Sequence, residues 1–150
     1  MLLDVGCGIY PKGDVNCDLF IDPISRDVGM IDPQIIPNFI LCDAQHLPFR
    51  NDTFNKVLCF HVIEHVNDPI LLLKELIRVT NDKINLKCPH RYARGKHDFH
   101  IKFFNVTWFD QVLRILRVKR YVIKTNLKGF PHRFFPIIQL PNEIEMLIWK

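Results

Sequence analysis

Short apolar runs, each closed by an acid or a turn former, recur along the first sixty positions of this chain. Leu2-Leu3-Asp4-Val5 runs into Gly6-Cys7-Gly8, and Val15 to Leu19, Phe39 to Asp43 and Lys56 to Phe60 follow. A fifth run, Ile84 to Cys88, is closed by Pro89. Such near-continuous runs suit strands of a parallel sheet buried on both faces. Between the fourth and fifth, Ile70, Leu73, Leu76, Ile77 and Thr80 fall at helical spacing behind Asn67-Asp68-Pro69, a cap with proline in the first turn. A second helix starts near Asn105, with Phe109, Val112, Leu113 and Leu116 on its inner face. Tyr121 to Leu127 and Ile144 to Trp149 read as two strands joined by a Pro-rich loop, a hairpin-like pair at the sheet edge. The pattern predicts an α/β fold with a seven-stranded, mostly parallel sheet and an antiparallel C-terminal edge. The segment between the first two strands is too short and too broken by Pro and Gly for the usual crossover helix, which is expected to be shortened or absent.

Length and composition narrow this to one domain over residues 1–150. With 150 residues and 48% apolar content the chain can fill a single core. No apolar run approaches the ~20 residues of a membrane span, and with Leu2 already in the first strand no basic leader or signal segment is expected. A cytoplasmic location without membrane contact is the expectation. The five cysteines, Cys7, Cys17, Cys42, Cys59 and Cys88, form no C-x-x-C pair and fall mostly in strand-like runs, so they read as reduced and structural.

The net charge of +4 conceals an asymmetry. Residues 1–75 carry five Lys and Arg against eleven Asp and Glu, whereas 76–150 carry fifteen against five. Much of the basic excess lies between Lys87 and Arg133, interleaved with Tyr92, Phe99, Phe103, Phe104 and Trp108. That mixture suits an anionic partner such as RNA, or else a solvated basic surface.

The glycines after the first strand carry the candidate chemistry. Without a Cβ the chain turns sharply and a ligand can lie against bare backbone amides. Asp4, Asp18 and Asp43 close three successive strand-like runs. In an open α/β sheet the ligand lies across the carboxyl ends of the strands, where an acid on the second strand accepts both ribose hydroxyls.

These residues resemble the class I S-adenosylmethionine-dependent methyltransferases. Leu3 to Gly8 is similar to their first motif, Asp43-Ala44 with Leu47-Pro48-Phe49 to the D-A-x-x-L-P-F stretch after strand three, and Phe60 to Val66 to the segment after strand four. Small members of type 11 in which a V-N-x-D-L strand follows the glycine loop closely are the most similar, here Val15 to Leu19. The resemblance implies a Rossmann-like methyltransferase sheet and S-adenosyl-L-methionine as cofactor. Its site would comprise Asp4, Gly6, Cys7, Gly8, Asp18, Leu19, Asp43, Ala44 and His61. Amides at Gly6 to Gly8 would hold the methionine carboxylate, Asp18 the ribose, Asp43 and the Ala44 amide the adenine edge, and His61 would border the sulfonium. Asp22 is the alternative for the ribose. Thr80 to Lys83 replaces the glycine turn usual before strand five, and the N-terminal extension that often covers the acceptor is not expected.

The implied activity is methyl transfer to an unidentified acceptor, a small molecule or RNA. For a hydroxyl acceptor, His61 or His65 would be the catalytic base, since imidazole titrates near neutrality. The lack of an N-P-P-[YF] segment after strand four makes base or amide nitrogen a poorer acceptor. The segment from His90 to Phe104, with Arg91, Arg94, Lys96 and Lys102, follows strand five at the ligand edge and is the natural acceptor-facing lid. His61, Glu64 and His65 also resemble in part an E-x-x-E-H metal segment, with His97 or His100 completing a shell for a divalent ion. Two other readings stay open: a non-catalytic S-adenosylmethionine-binding module would bind without turnover, and a nucleotide-cofactor oxidoreductase would want a third glycine. A zinc peptidase of H-x-x-E-H type would need both histidines in mid-helix, and Asn67-Asp68-Pro69 sets it aside by putting the helix start after them.

Overall fold

The computed structural model describes residues 1–19, 33–90, 104–130 and 138–150, with the backbone alone at 127–130 and 138–142. Among these, seven strands form one sheet: β1 (Leu2–Val5), β2 (Val15–Asp18), β3 (Phe39–Leu41), β4 (Phe54–Phe60), β5 (Thr80–Pro89), β6 (Arg120–Phe130) and β7 (Ile138–Trp149). Their order is β3-β2-β1-β4-β5-β7-β6. The first five are mutually parallel, and β7 runs antiparallel between β5 and β6. The C-terminal pair is longer than the apolar runs suggest, and of its two strands only β6 lies at a sheet edge. Leu3, Val5, Val57, Cys59, Leu86, Ile144 and Met146 form the buried middle of the sheet.

No helix links β1 to β2. The chain doubles back instead, with the Asp14 N–H donating to the Leu2 carbonyl at 2.9 Å and the Leu2 N–H to the Asp14 carboxylate at 2.7 Å. Asn16, fully buried in β2, holds the return: its Oδ1 accepts from the Gly13 N–H at 2.9 Å, and its Nδ2 donates to the carbonyls of Gly13 at 3.1 Å and Pro37 at 2.7 Å. One amide side chain thus supplies hydrogen bonds that a crossover helix would make internally.

Helix α1 (Pro69–Val79) begins as the sequence predicts, with Asp68 accepting from Ile70 at 2.9 Å and Leu71 at 3.0 Å. Its buried face is turned from the expected one: Leu72, Leu73, Leu76 and Val79 are buried, whereas Ile70 and Ile77 are only partly so. Four successive apolar residues, Ile70 to Leu73, leave the phase undetermined by pattern. Thr80 lies in β5, which starts there rather than at Ile84. Glu75 and Arg78 face the loop after β3. Glu75 accepts from the Leu47 N–H at 2.8 Å, and Arg78 donates to Glu75 at 2.7 Å and to the carbonyls of Leu47 at 2.9 Å and Phe49 at 2.7 Å. Helix α2 (Val106–Ile115) is capped by Asn105 and packs Phe104, Trp108 and Phe109 as one aromatic cluster. Of the expected lid, only His90 and Phe104 fall among the described residues, where they bridge. Arg91, Arg94, Lys96, His97, His100, Lys102 and the alternative ribose acid Asp22 lie outside them.

Candidate functional site

β1 has β2 on one side and β4 on the other, so the sheet order reverses beside it. A crevice at the carboxyl ends of the strands is expected at such a point. Gly6 and Gly8 adopt φ of +70° and +53° there. A Cβ at Gly6 would strike the Val62 side chain, which packs over the turn. The loop amides converge on β2: Gly6 and Cys7 donate to the Cys17 carbonyl at 2.8 and 3.1 Å, and Gly8 donates to the Asp18 carboxylate at 3.1 Å. Asp18 also takes the Leu19 N–H at 2.8 Å, and Leu19 is 48% exposed beside it.

Asp4 stands apart from the other two acids. It lies inside β1, nearly inaccessible, and accepts from the Lys12 N–H at 2.9 Å. Burial raises its pKa, with the hydrogen bond and charge of Lys12 opposing. It anchors the glycine loop from below. Asp43 falls just beyond β3, which ends at Leu41. Its carboxylate accepts from the Gln45 N–H at 2.8 Å and lies 3.6 Å from His46 Nδ1. Burial opposes its charge, but the bonds from Gln45 and His46 outweigh that and hold it below the usual carboxylate value. Gln45 Oε1 in turn accepts from the Asp68 N–H at 2.7 Å, joining the end of β3 to the start of α1. Ala44 is buried next to Asp43.

After β4 the chain passes through His61, a non-glycine residue at φ +57°, and then a three-residue 3-10 turn, Ile63–His65. Left-handed backbone is uncommon outside glycine, and histidine is among the residue types that adopt it more readily. His61 Nδ1 lies 3.5 Å from Glu64 and Nε2 lies 3.3 Å from Glu143 of β7. Glu64 is buried, and the 3.5 Å separation makes an ion pair rather than a formed hydrogen bond. The Glu64 carboxylate foremost, with Glu143, raises the His61 pKa above 6.5 despite partial burial. Phe60 carries the Lys12 and Lys87 ammonium groups 5.1 and 5.4 Å from its ring centroid.

Among the described residues no group of three or more His, Cys, Asp or Glu is placed to hold a metal. His61 and Glu64 come within 3.5 Å of each other, but with His65 they form no such group. The turn is also too short for the helix that an H-x-x-E-H peptidase needs. Sequence reasoning missed Asn16, Gln45 and Glu143. Only Asn16 left a signal, as a polar residue inside an apolar run.

The chain is similar to known proteins in sequence and fold. Residues 22–83 match the family model described as Methyltransferase domain. Among solved structures, a SAM-dependent methyltransferase from Archaeoglobus fulgidus superposes with a TM-score of 0.71 at 15% identity, covering 99% of this chain and 85% of that one. The chain has the fold of solved S-adenosylmethionine-dependent methyltransferases. An uncharacterised protein of Methanocaldococcus jannaschii is 32% identical over 89 residues, covering 55% of this chain and 37% of its own length. Ajmaline N-methyltransferase of Rauvolfia serpentina is 30% identical over 91 residues, covering 52% and 31%. The chain thus spans about a third of the length of these curated relatives.

Proposed function

We propose that this chain is a methyltransferase domain that binds S-adenosylmethionine across the carboxyl ends of β1, β2 and β3 and transfers its methyl group to an acceptor beside β4. The observation that carries this reading is the joining of Asp18, at the end of β2, to the Gly8 amide of the glycine turn at 3.1 Å. It sets a carboxylate against a turn whose glycines, Gly6 and Gly8, hold left-handed backbone. The residues present fit the cofactor. A carboxylate accepts up to about four hydrogen bonds, so Asp18 can hold backbone amides and ribose hydroxyls together. Asp43, kept ionised by Gln45, and Ala44 suit the adenine edge, and Gly6, Cys7 and Gly8 would lie against the methionine part, with His61 and Leu19 on the walls.

When bound, the cofactor supplies an activated methyl group with its leaving group already in place. The chain then has to orient donor and acceptor and exclude water. His61 and His65 are the imidazoles after β4 able to carry a proton, and the carboxylates flanking His61 favour its imidazolium. His61 therefore serves as a base for a hydroxyl acceptor only at a pH above its raised pKa. The basic, aromatic segment after β5 favours an anionic acceptor, a small molecule or RNA.

Calorimetric titration with S-adenosylhomocysteine tests the reading. Binding with dissociation constants in the micromolar range is expected, about −8 kcal/mol. No heat with it, alongside a clear signal from a nicotinamide dinucleotide, overturns the assignment. Asp18→Ala should weaken binding by about 1 to 3 kcal/mol through lost ribose hydrogen bonds.

A further inference from the structure

Two cysteines immediately precede the two acids assigned to the cofactor. Cys17 closes the buried part of β2 before Asp18, and Cys42 follows β3 before Asp43. The strands are parallel neighbours with Cys17 opposite Ile40, and the Cys42 N–H donates to the Asp18 carbonyl at 3.0 Å. The two thiols are therefore diagonal neighbours on the same face of adjacent strands. Their surroundings differ. Cys17 is buried, whereas Cys42 is partly open to solvent.

We propose that Cys17 and Cys42 are an oxidisable pair whose disulfide reshapes the ends of β2 and β3, so that cofactor affinity follows the redox state. The affinity half of this rests on the reading of the site given above. Cys42, the member of the pair open to solvent, is the one that peroxide reaches and is therefore the attacking thiolate, and its proximity to Cys17 lowers its pKa. Asp43 and Asp18 work against that charge without reversing it. The remaining cysteines are poorly suited: burial pushes Cys7 up to about 12 and also raises Cys59 and Cys88.

With hydrogen peroxide as oxidant, the Cys42 sulfur attacks one peroxide oxygen. The O–O bond breaks and the departing hydroxide takes a proton to leave as water, giving the sulfenic acid. The Cys17 sulfur then attacks the Cys42 sulfur. An S–S bond forms, the S–O bond breaks, and the oxygen leaves as a second water with the Cys17 proton. The two thiols together lose two electrons and peroxide gains them; a dithiol reverses the change by exchange. A disulfide draws its Cα atoms to within about 7 Å. Closing a diagonal pair pulls one strand end along the other, and the displaced residues are those next to Asp18 and Asp43.

The test uses the full chain, reduced and then treated with hydrogen peroxide. The intact mass should fall by two hydrogens, and a proteolytic map should join the Cys17 and Cys42 peptides. S-adenosylhomocysteine should bind about tenfold or more weakly to the oxidised chain, with recovery in dithiothreitol. In Cys17→Ser, peroxide should stop at a Cys42 sulfenic acid that dimedone traps. A map without the Cys17–Cys42 peptide overturns the pairing, and a cross-linked chain with unchanged affinity overturns the coupling. If the reduced chain fails to bind S-adenosylhomocysteine, the cofactor reading falls with the coupling, while the map still judges the pair.

Discussion

At Gly6 the backbone holds φ of +70° and the space where a Cβ would project is filled by Val62. Valine is stiff at χ1 and cannot swing away cheaply. Gly6→Ala should therefore combine left-handed strain with overpacking, a loss of about 2 to 4 kcal/mol seen as a lower melting temperature. His61 gives a pH signature. Its folded pKa is raised by Glu64 and Glu143, so its contribution to stability is fully present below the unfolded value of 6.5 and is lost as pH rises through the folded pKa. The melting temperature of His61→Gln should fall below that of the parent chain at acid pH, with the gap closing as pH rises. A gap that widens instead would show that the carboxylates do not stabilise the imidazolium.

Among the elements, α1 does more than cover the sheet. Its N-terminal cap is linked through Gln45 to Asp43, and its C-terminal half fixes Leu47 to Phe49 through Glu75 and Arg78. The loop bearing Asp43 and Ala44 is thereby held by a helix that follows it in sequence. Arg78→Ala would remove hydrogen bonds to two carbonyls and leave the Glu75 carboxylate without its cation. A loss of about 2 kcal/mol is expected in denaturant unfolding, with weaker S-adenosylhomocysteine binding as the loop loosens. Asp68→Ala, which removes only the cap, should cost about 1 kcal/mol.

For the whole molecule, ligand and fold are linked: a ligand at about 100 times its dissociation constant stabilises the native state by about 2.7 kcal/mol. Saturating S-adenosylhomocysteine should raise the melting temperature, and Asp18→Ala should shift the required concentration upward. The sequence by itself determined the parallel strands, the capped helices, the antiparallel end and the missing first crossover, because apolar runs, caps and prolines act through local backbone preferences. It also marked Gly6, Gly8, Asp18 and Asp43, whose types and order are tied to strand ends. Tertiary structure alone decided that Asp4 is buried beneath the turn, that β7 enters between β5 and β6, that Glu143 reaches His61 and that Cys17 meets Cys42. These depend on strand order and register across the sheet, which no local pattern encodes, since residues far apart in the chain become neighbours only when the sheet closes its hydrogen bonds.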